Sequence, residues 1–141
     1  MATLLFTYEL QRRLSAAGSS VIAVAAHPGY SATNLQNAGP QMPGSKLMIA
    51  LNNFANGSIA QSAAMGALPT LCAAAAPEVQ GGDYIGPGGF AEFWGYPKKV
   101  GSNAHSRDEA VAARLFEESE RLTGAQFALK QNAKVWTAGG R

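Results

Sequence analysis

The 141 residues are 47% hydrophobic and 14% charged, a balance that argues against intrinsic disorder and leaves enough chain to bury the core of one globular domain. The formal net charge of +2 is mild, and lysines and arginines are scattered from Arg12 to Arg141 without a dense patch, so no nucleic-acid partner is expected. Cys72 is the single cysteine, which excludes an intrachain disulfide and makes a reducing, cytoplasmic compartment the expected home; within its alanine-rich run it reads as a small buried apolar residue.

The opening stretch, MATLLFTYELQRRLSAAG, predicts a helix. Leu4, Leu5, Tyr8 and Leu14, with Leu10 beside them, recur at spacings of one helical face, and Gly18 supplies the stop. No Ser, Thr, Asp or Asn stands before its first apolar turn to accept from the free N–H groups there. Its arginines follow the apolar run and it is too short and too polar to cross a bilayer, so neither a secretory signal nor a membrane span is expected. Residues 21–26 form a continuous apolar run closed by Pro28 and Gly29. Such a run predicts a strand covered on both faces, as in a parallel sheet flanked by helices.

Residues 30–44 are rich in Asn, Gly, Pro and Ser, a loop long enough to be functional or mobile. A short helix is predicted over 46–54 and a longer one over 58–76, which Pro69 should kink or interrupt because it removes a backbone donor. In QGGDYIGPGGF, the apolar pair Tyr84 and Ile85 between glycines predicts a second strand ending in a tight turn. The following AEFWGYPKKVGSNAH reads as aromatic, irregular surface. In SRDE, Ser106 is expected to cap a helix with Glu109 reaching back, and Ala110, Ala113, Leu115, Phe116 and Leu122 to line its buried side, with Gly124 beyond its end. Residues 1–127 then make one domain and 128–141 a C-terminal tail without period, expected to be mobile. Two strands alone leave sheet edges open, so a covering partner, in the simplest case a second copy in a homo-oligomer, is expected.

Chemistry is sparse along the chain. Gly81, Gly82, Gly86, Gly88 and Gly89 lack the spacing of a dinucleotide fingerprint, which must also open a helix, so a structural turn is the expected role. GYSAT lacks the second glycine of a nucleophile elbow. His27 and His105 have no neighbours at metal-ligand spacing and read as strand-end or surface histidines, so no metal is expected. The acids from Asp108 to Glu120 suit the solvated face of a helix. What is left is VIAVAAHPGYSATNL. Ligands of open α/β sheets bind beyond the carboxyl ends of strands, and there Pro28 fixes the exit of the chain, Gly29 permits close approach and Thr33 offers a donor and an acceptor. Read from the residues alone, the stretch is either a plain strand-to-loop turn or a grip for an amide.

In order over residues 1–127, LLFTYELQRRL, HPGYSATNL, ALPTL, GGDYIGP and LFEESERLTG resemble the C-terminal half of a short-chain dehydrogenase/reductase, in particular the retinol-dehydrogenase-like group that includes the WW-domain oxidoreductases. The resemblance implies an α/β fold, the last two strands and flanking helices of a Rossmann-type doubly wound parallel sheet, with its N-terminal half outside this chain. By the same resemblance Pro28 and Gly29 match the Pro-Gly element after the sixth strand, and Thr33 matches the threonine that meets the nicotinamide carboxamide of NAD or NADP. Residues 30–57 correspond to the substrate-binding loop, and no substrate-binding residue is assigned within it.

The family's catalytic serine, tyrosine and lysine fall outside the chain: Tyr8 is followed four residues on by Arg12 rather than Lys, and Tyr96 lies three from Lys99 in a Pro-containing turn. The parent is therefore expected to be an NAD(P)-dependent oxidoreductase of a small carbonyl or alcohol. This chain alone is expected to be inactive and to bind no cofactor tightly. The alternative is a non-catalytic interaction module, a half-fold that self-associates or complements a separate partner half.

Overall fold

The computed structural model describes residues 1–31 and 61–127, which form α-helices and a small mixed sheet of three strands. Thr33, the helix expected over 46–54 and the tail beyond residue 127 lie outside the described residues. The chain divides into two compact units: one comprises Met1–Val24, Gln80–Gly82 and Ser102–Arg141, the other Ala25–Val79 and Asp83–Gly101.

The first unit is built on helix α1 (Ala2–Ala16), which packs against the last described helix. No side chain caps its start, as the sequence implies, and its end is closed by a Schellman motif: Gly18 takes φ +63°, its N–H reaches Ser15 O at 3.0 Å and that of Ser19 reaches Leu14 O at 3.0 Å. Leu5 and Leu14 are buried as expected, but Glu9 is buried with them, its carboxylate held by Arg12 and Arg13, each with a nitrogen at 2.7 Å. Burial pushes the Glu9 carboxyl up, and the hydrogen bonds and charges of Arg13 and Arg12 outweigh it, leaving the pKa below the usual carboxylate range. Gln11 uses the same helix to fasten the following segment, accepting from the Ala23 N–H at 2.8 Å.

The last described helix of this unit starts differently from the sequence expectation. Ser106 is fully buried inside a 3-10 turn, Ala104–Arg107, where Asn103 Oδ1 accepts from its N–H at 2.9 Å and Asn103 O from its hydroxyl at 2.7 Å. The cap is Asp108, whose carboxylate accepts from the Val111 N–H at 3.0 Å. The helix runs Glu109–Thr123 and ends at Gly124 in the left-handed region, φ +69°. Its buried stripe is Ala112 and Phe116, four residues apart, and Leu122 stays 69% exposed, which displaces the expected face. Phe116 stacks on Phe6 with ring centroids 4.9 Å apart, and the Arg13 guanidinium carbon lies 4.1 Å from its centroid, so an aromatic and a cation together close this small core.

The second unit holds the sheet. Strand β1 (Ala25–Ala26) pairs in parallel with β2 (Tyr84–Pro87), with Ala25 opposite Tyr84 and Ala26 opposite Ile85. The expected strand over 21–26 shrinks to these two residues, and Val21 and Ile22 are 61% and 48% exposed rather than covered. The ladder cannot extend upstream in the same way, because the Ala23 N–H is taken by the Gln11 side chain and its carbonyl by the Gly82 N–H.

Strand β3 (Pro97–Lys99) was not expected: Gly88 and Gly89 donate to Tyr96 O and Trp94 O at 2.8 Å each, folding the supposed irregular segment back as an antiparallel hairpin on β2. Pro97 is tolerated because β3 is at the edge of the sheet order β1-β2-β3, where Lys98 and Lys99 also discourage further pairing. A second helix, α2 (Ala63–Ala75), capped by Ser62, packs on all three strands. It runs through Pro69 without interruption. The proline ring is fully buried, so packing offsets the backbone bond that proline cannot donate, and Cys72 beside it is half-buried rather than buried. With the helix that follows Asp108 numbered α3 (Glu109–Thr123), no helix among the described residues is long and apolar enough to cross a membrane.

Candidate functional site

Because β1 and β2 are parallel, their carboxyl ends open on the same side of the second unit, and the turn His27, Pro28, Gly29, Tyr30, Ser31 emerges there beside the hairpin that follows β2. Gly29 stands at φ +64°, a conformation that disfavours any side chain. A Cβ there would also fall 2.6 Å from Pro87 Cγ and 2.7 Å from the carbonyl oxygens of Glu92 and Phe93, so the close approach that the glycine allows is that of the protein's own hairpin. The Tyr30 N–H donates to Phe93 O at 2.8 Å and secures the contact, with the two rings edge to face at 6.4 Å.

One residue outside the predicted set ties the turn together. Gln61, buried and bridged in parallel to Ser31, donates from its backbone to Tyr30 O at 3.0 Å and from its side-chain amide to Pro28 O at 2.6 Å. Its amide oxygen accepts from the Gly95 N–H at 3.1 Å, so a single side chain joins the turn to the hairpin. Pro28 O accepts a second bond from the Ser31 hydroxyl at 2.9 Å, which occupies both of its lone pairs. Pro28 itself is exposed, while Tyr30 and Ser31 are half-buried.

His27 forms the floor of the turn. Its Nδ1 accepts from the Gly29 N–H at 3.3 Å, its ring lies 5.0 Å from that of Tyr84, and its Nε2 comes within 3.1 Å of Glu92 Oε2 without the alignment of a hydrogen bond. A side chain at Gly86 would fall on Nε2, so the strand gives up a Cβ to admit the imidazole. Glu92 and its neighbour Ala91 both sit in the left-handed region, at φ +60° and +49°, a concentration of backbone strain facing the turn.

Of the predicted site residues, then, Pro28 and Gly29 are together at the strand ends, and Thr33 is outside the described residues. His105 belongs to the other unit, and no group of three His, Cys, Asp or Glu side chains suited to a metal occurs among the described residues. The glycine cluster opens no α-helix; Gly88 and Gly89 make the β2–β3 turn. Gln61 and Glu92 carry no signal in the sequence, whereas the position of His27, directly before Pro28, could have been weighed with the turn.

The chain is similar to a solved structure, the crystal structure of an uncharacterized protein from Mycobacterium paratuberculosis, with 38% identity and a TM-score of 0.61 over 90% of this chain and 37% of that one. It thus spans little more than a third of the length of the protein it matches. No family model matches the chain, and no curated protein does.

Proposed function

We propose that the chain is the C-terminal part of an NAD(P)-dependent short-chain oxidoreductase acting on a carbonyl or alcohol, contributing the wall beside the nicotinamide. The observation that carries this reading is the delivery of the Pro28–Gly29 turn by a parallel strand pair to the carboxyl end of its sheet, where an open α/β sheet takes its ligands. Similarity to a protein of which this chain covers 37% supports a longer parent.

The residues fit the cofactor as a wall more than as a grip. Pro28 presents an exposed apolar ring, but its carbonyl is already saturated, so the polar contacts to a carboxamide fall to the segment from Ser31 onward, in which Thr33 is the assigned residue. A bound nicotinamide supplies or accepts the hydride. This chain's part is to seat its ring and exclude water on one side, while the proton is handled by a tyrosine and lysine pair that the 141 residues do not contain. The chain by itself is accordingly inactive and holds no cofactor tightly.

Two measurements test this. NADH and NADPH oxidation by the 141-residue chain with a panel of small aldehydes and ketones should be flat, and turnover abolished by Thr33→Ala would refute the inactive fragment. Coding DNA upstream of the Met1 codon should carry an in-frame Y-x-x-x-K and a glycine-rich loop; a stop codon directly before Met1 would weigh against the parent enzyme.

A second reading, a non-catalytic half-fold that pairs with itself or with a separate half, is favoured by β1, which among the described residues has a strand partner on one side only. Light scattering on the eluted chain decides it, since a clean folded monomer is the result this reading cannot accommodate.

A further inference from the structure

We propose that His27 is a positioning residue whose protonation state sets the Pro28–Gly29 turn, acting as a proton-operated latch. That the turn faces a cofactor rests on the oxidoreductase reading; the latch does not. The bond from the Gly29 N–H to Nδ1 requires a lone pair on Nδ1, which places the proton of the neutral imidazole on Nε2. Nε2 is cut off from solvent and faces Glu92 Oε2 at 3.1 Å.

Adding a proton puts it on Nδ1, directly in front of the Gly29 N–H. The acceptor becomes a donor, and the bond that holds the left-handed glycine from below is lost. The new cation is at the same time drawn toward the Glu92 carboxylate, on the strained turn whose carbonyls pack against Gly29. Both effects act on the same turn, one by releasing Gly29 and the other by pulling the ring toward the hairpin.

Among the described residues, Glu92 is the charged group whose contact with the ring is direct. From β2 comes the Tyr84 ring, its centroid 5.0 Å from that of the imidazole. From the hairpin comes Glu92, while on β3 Lys99 is engaged by Asp83 and Lys98, exposed and opposite Gly86, is the cation on the face of the sheet that His27 occupies. Helix α2 carries no ionisable side chain besides Cys72.

The test is heteronuclear NMR on the full chain across pH 5–8, following the His27 ring and the Gly29 amide, with exposed His105 as internal reference. The Gly29 amide should shift with the midpoint of His27 and not with that of His105. His27→Asn, whose Oδ1 replaces Nδ1 as acceptor but does not titrate, should keep the Gly29 amide protected and flatten its pH dependence. His27→Gln, which offers its terminal amide nearer the Nε2 position, should leave Gly29 exchanging about fivefold faster. Glu92→Gln, which removes the carboxylate beside Nε2 but not the bond to Nδ1, should leave the Gly29 amide following the His27 titration.

A Gly29 amide that ignores the His27 titration overturns the latch, and so does a His27→Gln chain that protects Gly29 as well as the wild type. Should the variants not fold, the wild-type titration decides alone. No cofactor enters the readout, so a failed latch leaves the oxidoreductase reading intact, and an absent parent enzyme leaves the latch intact.

Discussion

Substitution of Gly29 by alanine should be far more damaging than the same change at the two helix-ending glycines, and the difference can be worked from the geometry. All three stand in the left-handed region, with φ +64° at Gly29, +63° at Gly18 and +69° at Gly124. For alanine that conformation costs roughly 1–2 kcal/mol, partly offset by the smaller entropy of the unfolded chain, for a net loss of about 1 kcal/mol. At Gly18 and Gly124 nothing lies within 4 Å of the new Cβ, so no further cost arises there. At Gly29 the Cβ meets Pro87 Cγ at 2.6 Å and two backbone carbonyl oxygens at 2.7 Å, which cannot rotate away. Overpacking of this kind adds about 1–3 kcal/mol, for a total of about 2–4 kcal/mol. In urea, where small domains lose about 1–3 kcal/mol per molar, the midpoint should fall by about 1–2 M for Gly29→Ala and by about half a molar for the controls. Circular dichroism follows every variant, and in a Trp136→Phe background the emission of Trp94, on the hairpin that Gly29 touches, reports the local change. A Gly29→Ala chain that unfolds no earlier than Gly124→Ala would refute the claim that the turn is packed as described.

Two other outcomes concern the first unit. Glu9 has its pKa lowered by Arg13 and Arg12 against the effect of burial, so the stability it contributes is present above its unfolded pKa, near 4.5, and is lost as pH falls through the lower folded value. Acid titration of the melting temperature should therefore show a steeper decline below about pH 4.5 for the wild type than for Glu9→Gln, which is destabilised at neutral pH but lacks that step; parallel curves would contradict the pairing. Asp108→Ala should lower stability by about 1 kcal/mol and fray the start of α3, seen as faster exchange of the Val111 amide, whereas Ser106→Ala should leave that amide protected because its hydroxyl serves Asn103 instead.

What the sequence discloses and what it withholds differ by the range of the interaction. Gly18 and Gly124 end their helices where the pattern implies, because each end depends on neighbours within a few positions, and the apolar pair Tyr84 and Ile85 marks its own strand although its partner β1 is distant in the sequence. In SRDE the local pattern points to Ser106 as the cap, two positions before the residue that caps the helix. The shift is made by Asn103, which captures the Ser106 N–H and leaves Asp108 to start the helix. PKK has neither alternation nor β-branched residues, so β3 is invisible until the glycine turn presses it onto β2.

The site repeats this logic with higher stakes. HPG announces a turn, and a glycine in such a place reads as room for a visitor. In the folded chain the room at Gly29 is filled by Pro87, Glu92 and Phe93, the room at Gly86 by His27, and the room at Gly66 by Ser31. Three glycines that look like flexibility are points where the chain presses on itself, and they draw together residues as distant as His27 and Glu92 or Pro28 and Gln61. Any ligand at this end of the sheet must therefore use the outer surface of the turn, where Pro28 is exposed. The inner surface is already committed to holding the turn in shape. Variants at Gly29, His27 and Gln61 would on this view act on ligand binding only through the shape of the turn, while those at Pro28 would act on contact.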